Sequence, residues 1–351
     1  MSFINLLKKQ LTLYPCTQPQ DAVKLCYQAA FGAEHLLQDI TAARKYFDCE
    51  YSSIAENDHA LAERISLDFY RVNLSAWKMA ALPREWLFNM FRATASNGAA
   101  ANANAVFSRC LQAVGLTAER GEAPFTLEAW NSFMDGYDRL SPSPVHHSET
   151  YRESAHPSYR IVADRFARLI PLLKQMAEIS QHSETNIIAI DGRAASGKTT
   201  LATALAEVTG AGIIHMDDFF LPGALRTEAR LATPGGNVHY ERFLTEVIPC
   251  LSGKNAFSYQ TFDCEKMRLG ELRHVSESAW RIVEGAYSCH PELGGYMGVR
   301  VFCNIAPDEQ FRRICKRDGE GIAAVFKSQW IPMEELYFNT YKIEDLSDIL
   351  L

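Results

Sequence analysis

Residues 187–202 read IIAIDGRAASGKTTLA, and this stretch constrains the fold more than any other in the chain. An apolar run leads into a glycine loop, then a lysine, two threonines and the helix-forming run LATALAEV. Gly192 to Thr199 matches GxxxxGK[ST] at every fixed position, with a strand signal before it and a helix signal after it. Glycines let a backbone wrap an anion with successive N–H groups pointing inward, and the following helix adds its positive end. Gly192, Ala194, Ala195, Ser196, Gly197, Lys198, Thr199 and Thr200 are therefore the expected nucleotide cradle. Lys198 is expected to neutralise the β- and γ-phosphates of ATP, and the Thr199 hydroxyl to ligate Mg²⁺. A chance match in a glycine turn is the competing reading, and the strand and helix context argues against it.

The loop begins past the middle of a 351-residue chain, which is long enough for two domains. The two halves differ in pattern. Residues 1–180 read as mainly helical, with segments near 34–48, 58–72, 75–94, 101–113 and 126–140 and a last helix over 159–180. Clear β alternation is scarce there, and QHSETN at 181–186 reads as a polar linker. From 186 to 351, short β-branched runs alternate with helices: IIAID, GIIHM, WRIVEG, VRVFCNI and the final DLSDILL. That alternation predicts an α/β fold with a parallel sheet and crossover helices, whose ligands bind at the carboxyl ends of the strands.

Composition excludes several classes. A net charge of -7 argues against broad nucleic-acid binding, which needs a basic surface. Nine cysteines include no CxxC pair, so they read as reduced thiols. No apolar run reaches the roughly 18 residues of a membrane span. Lysines interrupt the apolar start MSFINLLKKQ, so a cytoplasmic protein is expected. Self-association into a homo-oligomer is left open.

Chemistry is expected just after the strands. In HMDDFF a carboxylate faces the strand-end crevice, and Asp217 is favoured over Asp218 as the group that accepts a hydroxyl proton or helps hold the metal. In IVEGAYS, Glu284 follows two apolar residues, where a carboxylate is costly unless paired or metal-linked. Arg312, Arg313, Lys316 and Arg317 form a basic helix that ends in a glycine-rich break. Such a helix suits closure over phosphates, although a solvated basic face would look the same.

Taken in order and spacing, DGRAASGKTTLA, HMDDFF, IVEGAYS, FRRICKRD and DLSDILL resemble the uridine kinase and phosphoribulokinase-like P-loop kinases over residues 186–351. The resemblance implies a five-stranded parallel sheet and ATP-dependent phosphorylation of a small-molecule hydroxyl. It implies Asp217 as the base, Glu284 as a contact to magnesium, and Arg313 and Arg317 as the lid. The acceptor-facing segments depart from uridine kinases: His239 stands where an aspartate is expected, and Tyr259 is followed by Gln260, with the acid displaced to Asp263. Arg230, His239, Tyr240, Arg242, Tyr259 and Asp263 are the expected pocket residues.

The first half matches no pattern of known chemistry. Its densest feature is His146, His147, Tyr151, Arg152, His156, Tyr159 and Arg160. No HxxxH or HExxH spacing supports a metal there, so a turn region ordered by side-chain hydrogen bonds is expected. His35 is expected to be a core or helix-end histidine. A reading of another class also remains: a nucleotide-gated binding or regulatory module with little turnover, using the helical half as its effector surface.

Overall fold

The computed structural model describes the whole chain except residues 1–2, 34–38, 57–58, 99, 183–185 and 264–265, and the side chains of 181–182. His35, Cys264 and most of the expected linker lie outside the described residues. The chain divides into two compact units, Met1–Lys174 and Gln175–Leu351. The division falls inside the helix Ile170–His182. No helix among the described residues is long and apolar enough to cross a membrane.

Unit 1 is mainly helical, but it contains a sheet that its sequence conceals. Strands β1 (Ala62–Arg64), β2 (Phe69–Asn73) and β3 (Tyr159–Ala163) pair antiparallel in the order β1-β2-β3. The helix expected over 58–72 is therefore a hairpin, and the helix expected from 159 begins as a strand. Alternation is hidden because Arg71, Asn73 and Arg160 are polar residues at buried strand positions. Asn73 ends β2 and caps the next helix, Leu74–Met79, its side chain accepting the Ala76 N–H at 2.8 Å. The segment expected over 75–94 is two helices, with Pro83 at the start of the second, Arg84–Ser96.

The expected His/Tyr/Arg region is tied into this core. Asp21 is held below the usual carboxylate range: hydrogen bonds from His147 and Ser148 outweigh the opposing effect of burial. Burial holds His147 down at about 4, so its ring is neutral at pH 7. His147 Nδ1–H then donates to Asp21 (2.8 Å), and Nε2 accepts from the Tyr159 hydroxyl (2.6 Å). Gln28 Nε2 donates to that hydroxyl (3.1 Å), and Gln28 Oε1 accepts from Arg71 Nε and Nη2 (3.0 and 2.7 Å). Donor and acceptor match at every link, as a buried polar chain requires.

Unit 2 is built on a five-stranded sheet of β4 (Ile187–Gly192), β5 (Gly212–His215), β8 (Arg281–Glu284), β9 (Val299–Cys303) and β10 (Ile349–Leu350). Their order is β10-β9-β4-β8-β5, every pair parallel. Strand β4 is buried along its whole length, and Ile188, Ile190, Ile282, Val283, Val301 and Phe302 are completely enclosed. Each such side chain contributes about 1.5–3 kcal/mol of burial. Strands β6 (Phe257–Asp263) and β7 (Arg268–Val275) form a separate antiparallel hairpin. Since β4 has a later strand on each side, the chain reverses direction around it and leaves a crevice at its carboxyl end.

Candidate functional site

The glycine loop joins β4 to the helix Lys198–Thr209. Gly192 has φ +133°, and a Cβ there would lie 2.2 Å from the Cys303 carbonyl oxygen of the neighbouring strand. Only glycine fits. Gly197 has φ +106° in open space, so its backbone conformation alone demands glycine. Lys198 Nζ curls back to donate to the carbonyls of Gly192 (2.7 Å) and Arg193 (2.9 Å), which fixes its charge over the loop. Arg193 points away, paired with Glu335 at 2.6 Å and lying against the Phe302 and Phe338 rings.

Beside the loop lies a cleft of about 810 Å³. Ala194, Ala195, Gly197, Lys198, Thr199 and Thr200 line one wall. Gly192 and Ser196 belong to the loop without lining the cleft. The strand ends supply Asp217 from the turn after β5 and Glu284 from the end of β8. Glu284 is buried; its carboxylate lies 3.1 and 3.2 Å from the Thr199 hydroxyl and 2.5 Å from His215 Nδ1.

The two aspartates of HMDDFF have separate fates. Asp218 is buried, accepts from the Tyr259 hydroxyl at 2.9 Å and pairs with Arg273 at 2.7 Å. Asp217 opens into the cleft. Asp217 is exposed in that cleft, yet the protein packed around it pushes its carboxyl above the usual range; Lys198 opposes this, while Glu284 and Asp218 add to it.

The basic helix is Pro307–Asp318. Arg313 and Arg317, one turn apart, both line the cleft, and Arg313 Nη1 donates to the Ala195 carbonyl at 3.3 Å. Both are also paired with carboxylates, Arg313 with Glu309 and Arg317 with Asp318, each at 2.8 Å.

The expected acceptor residues are placed elsewhere. None of Arg230, His239, Tyr240, Tyr259 and Asp263 is among the described residues that line the cleft. Arg230 is committed to Glu241 and the carbonyls of Gly236 and Val238, and lies over the Tyr240 ring. His239 caps the helix Tyr240–Glu246 by accepting the Arg242 N–H. Tyr259 is buried against Asp218 and the His215 N–H, and Arg242 pairs with Glu246. Asp263 pairs with Lys266 at the hairpin tip. The cleft is completed by residues that sequence reasoning missed: Phe220, Arg226, Asn237, Met267, Tyr287, Trp330 and Glu334 among them. Phe220 directly follows Asp217-Asp218-Phe219, and Asn237 stands two residues before His239; nothing in the pattern around Glu334 or Trp330 marks them.

Two missed carboxyls hold the loop in place, Asp191 from beneath it and Glu334 from the cleft. Asp191 is completely buried and accepts from Gly192 N (2.7 Å), Cys289 N (2.9 Å), Tyr287 N (3.1 Å) and the Tyr337 hydroxyl (2.9 Å). These bonds fasten β4 to the turn after β8. Glu334 accepts the Ala194 N–H at 3.0 Å, and burial pushes its pKa up to about 7.

A phosphate loop on the central strand of this parallel sheet defines unit 2 as a P-loop NTPase α/β domain, the fold that the uridine kinase and phosphoribulokinase resemblance implies. No protein-family model matches the chain, and no curated protein matches it significantly. Among solved structures it is similar to a possible uridine kinase from Bacillus stearothermophilus. The two are 20% identical with a TM-score of 0.39, over 54% of this chain and 97% of that one. It is also similar to a putative fructose transport system kinase from Silicibacter sp. TM1040, at 19% identity and a TM-score of 0.41, over 53% of this chain and 98% of that one. The fold assignment rests on the loop and the sheet order rather than on these likenesses.

Proposed function

We propose that unit 2 is an ATP-dependent kinase that transfers the γ-phosphoryl group to a hydroxyl of a small molecule. The observation that carries this reading is the convergence of the Lys198 loop, the Thr199–Glu284 pair and Asp217 on one cleft. The loop amides and Lys198 hold the donor phosphates. All the oxygen donors near Thr199 suit Mg²⁺, which takes few protein ligands and completes its shell with phosphates and water. Thr199 and Glu284 would hold it, Glu284 oriented by His215, with Asp217 at hand. The ion, when bound, neutralises charge on the β- and γ-phosphates.

Asp217 accepts the acceptor's hydroxyl proton as that oxygen bonds to the γ-phosphorus, and the bond to the ADP oxygen breaks. A carboxyl with a raised pKa is the better base for this step. Arg313 and Arg317 face the same space and stabilise the charge in transit. The test is ATP consumption with a panel of nucleosides, sugars and hydroxy acids, comparing wild type with Asp217→Asn. Loss of Asp217 should slow turnover by roughly 10²–10⁴-fold. Unchanged phosphorylation in the variant would remove Asp217 from the role.

A further inference from the structure

Unit 1 holds a polar chamber that its own residues leave unsatisfied. Glu63 on β1 and Arg71 on β2 stand opposite each other in the hairpin register, where opposite charges ordinarily pair. Neither makes an ion pair among the described residues. Gln10 lies between them instead, its Nε2 donating to Glu63 at 3.3 Å and its Oε1 accepting from Arg71 Nη1 at 3.4 Å. Arg71 is only 5% exposed, and its other hydrogen bonds go to the neutral Gln28. A guanidinium buried this deeply without a counter-ion is costly. At the opposite pole, Glu63 also accepts from the Tyr14 hydroxyl at 2.6 Å, which leaves its carboxylate room for a further donor.

Two idle donors line the same space. Tyr151 is 3% exposed and stacks flat on the His147 ring, with centroids 4.3 Å apart. Its hydroxyl makes no hydrogen bond among the described residues. Asn73 is 7% exposed; its Oδ1 caps the following helix, while its Nδ2 has no acceptor among the described residues. A buried donor without an acceptor is costly, so water or a ligand oxygen must satisfy it.

Inside the chamber the centres of water-sized atoms have about 20 Å³ to occupy, room for one acid group and no more. Tyr14, His59, Ala60, Glu63 and Ala155 line both the chamber and a surface groove of about 760 Å³, so the two join there. We infer that unit 1 binds a free α-amino acid. Its carboxylate bonds to Tyr151 and Asn73 beside the Arg71 charge, its ammonium meets Glu63 at the junction, and its side chain runs along the groove past Leu6 and Leu13. Arg71 and Glu63 form a positive and a negative pole a residue's width apart, and a zwitterion complements both. A plain anion would answer Arg71 and be repelled by Glu63; a plain amine would do the reverse. The inference is independent of the kinase reading of unit 2.

The experiment is saturation-transfer NMR on the full chain with the standard L-amino acids, followed by titration of the tightest against its matched hydroxy acid, its decarboxylated amine and inorganic phosphate. At least one amino acid should bind saturably, and about tenfold or more tightly than each of the three comparison ligands. Tyr151→Phe keeps the ring on His147 and removes only the hydroxyl; it should weaken binding about tenfold and melt within about 3 °C of wild type. Asn73→Asp keeps the capping oxygen and sets a negative charge where the donor was; it should abolish binding. Glu63→Gln should bring the amino acid and its hydroxy acid to within about threefold of each other. Saturable binding by no amino acid would overturn the inference, as would unchanged affinity in Tyr151→Phe. Hydroxy acid or phosphate binding as tightly as the amino acid would make the chamber a plain anion site and overturn it too.

Discussion

Arg71 in unit 1 and Arg226 in unit 2 are arginines in opposite situations. Arg71 is buried, and its guanidinium ends a chain running from Asp21 through His147, Tyr159 and Gln28. Arg226 is half-buried beside an open cleft, with the Trp330 ring against it. The difference separates polar groups that hold a core together from polar groups that line an open cleft. Along the unit 1 chain from Asp21 to Arg71 the donors and acceptors are used up within the fold. In unit 2, Asp217, Glu284 and Glu334 share one cleft, where charge repulsion and desolvation are tolerated. Such a concentration marks a site that something else must complete.

Exchanging the two arginines for neutral residues breaks the comparison if they behave alike. Arg71→Ala strands the Gln28 oxygen and opens a cavity, so unfolding should become easier by about 3 kcal/mol. Arg226→Gln removes no side-chain hydrogen bond among the described residues and should change stability by less than about 0.5 kcal/mol. Chemical denaturation of both variants decides it. Equal losses would show that Arg226 is structural.

Acid–base behaviour sharpens the contrast, since the two units should respond to pH in opposite senses. Glu334 is pushed up to about 7 from 4.5, so the folded protein keeps a proton that the unfolded chain releases across that window. Its contribution is present below pH 4.5 and lost as pH rises through 7. Glu334→Gln should therefore stabilise the protein above pH 7, by up to about 3 kcal/mol, and leave it unchanged near pH 4. His147 is held down at about 4 from 6.5, so the unfolded chain takes up a proton first on acidification. Its contribution is present above pH 6.5 and lost as pH falls toward 4, and Asp21, also lowered, acts in the same direction. His147→Gln should flatten that acid limb by a smaller margin, because it also breaks the bond to Tyr159. Thermal melts across pH 4–8 test both.

The phosphate-loop wall of the cleft was legible in the sequence because its geometry is local. Gly192, Gly197, Lys198 and Thr199 lie within one turn and need only adjacent residues to be recognised. The rest of the cleft lining is assembled from distant segments: Asp217, Arg226 and Asn237 before the hairpin, Tyr287 after β8, and Trp330 and Glu334 in the last helices. No spacing rule joins these. Tyr259 and His239 looked like pocket residues by position, but the fold uses the first to hold Asp218 and the second to cap a helix. In unit 1 the sheet was invisible because Arg71, Asn73 and Arg160 interrupt its apolar pattern at positions where the fold supplies them with partners.

The central claim is that the loop and Asp217 serve one reaction in one cleft. The most direct measurement follows γ-labelled ATP in wild type, Lys198→Ala and Asp217→Asn, recording bound nucleotide and label transferred to an acceptor from the panel in the same samples. Lys198→Ala should lose both binding and transfer. Asp217→Asn should bind ATP within about threefold of wild type and transfer label roughly 10²–10⁴-fold more slowly. Transfer at the wild-type rate by Asp217→Asn, or full ATP binding by Lys198→Ala, would contradict the account.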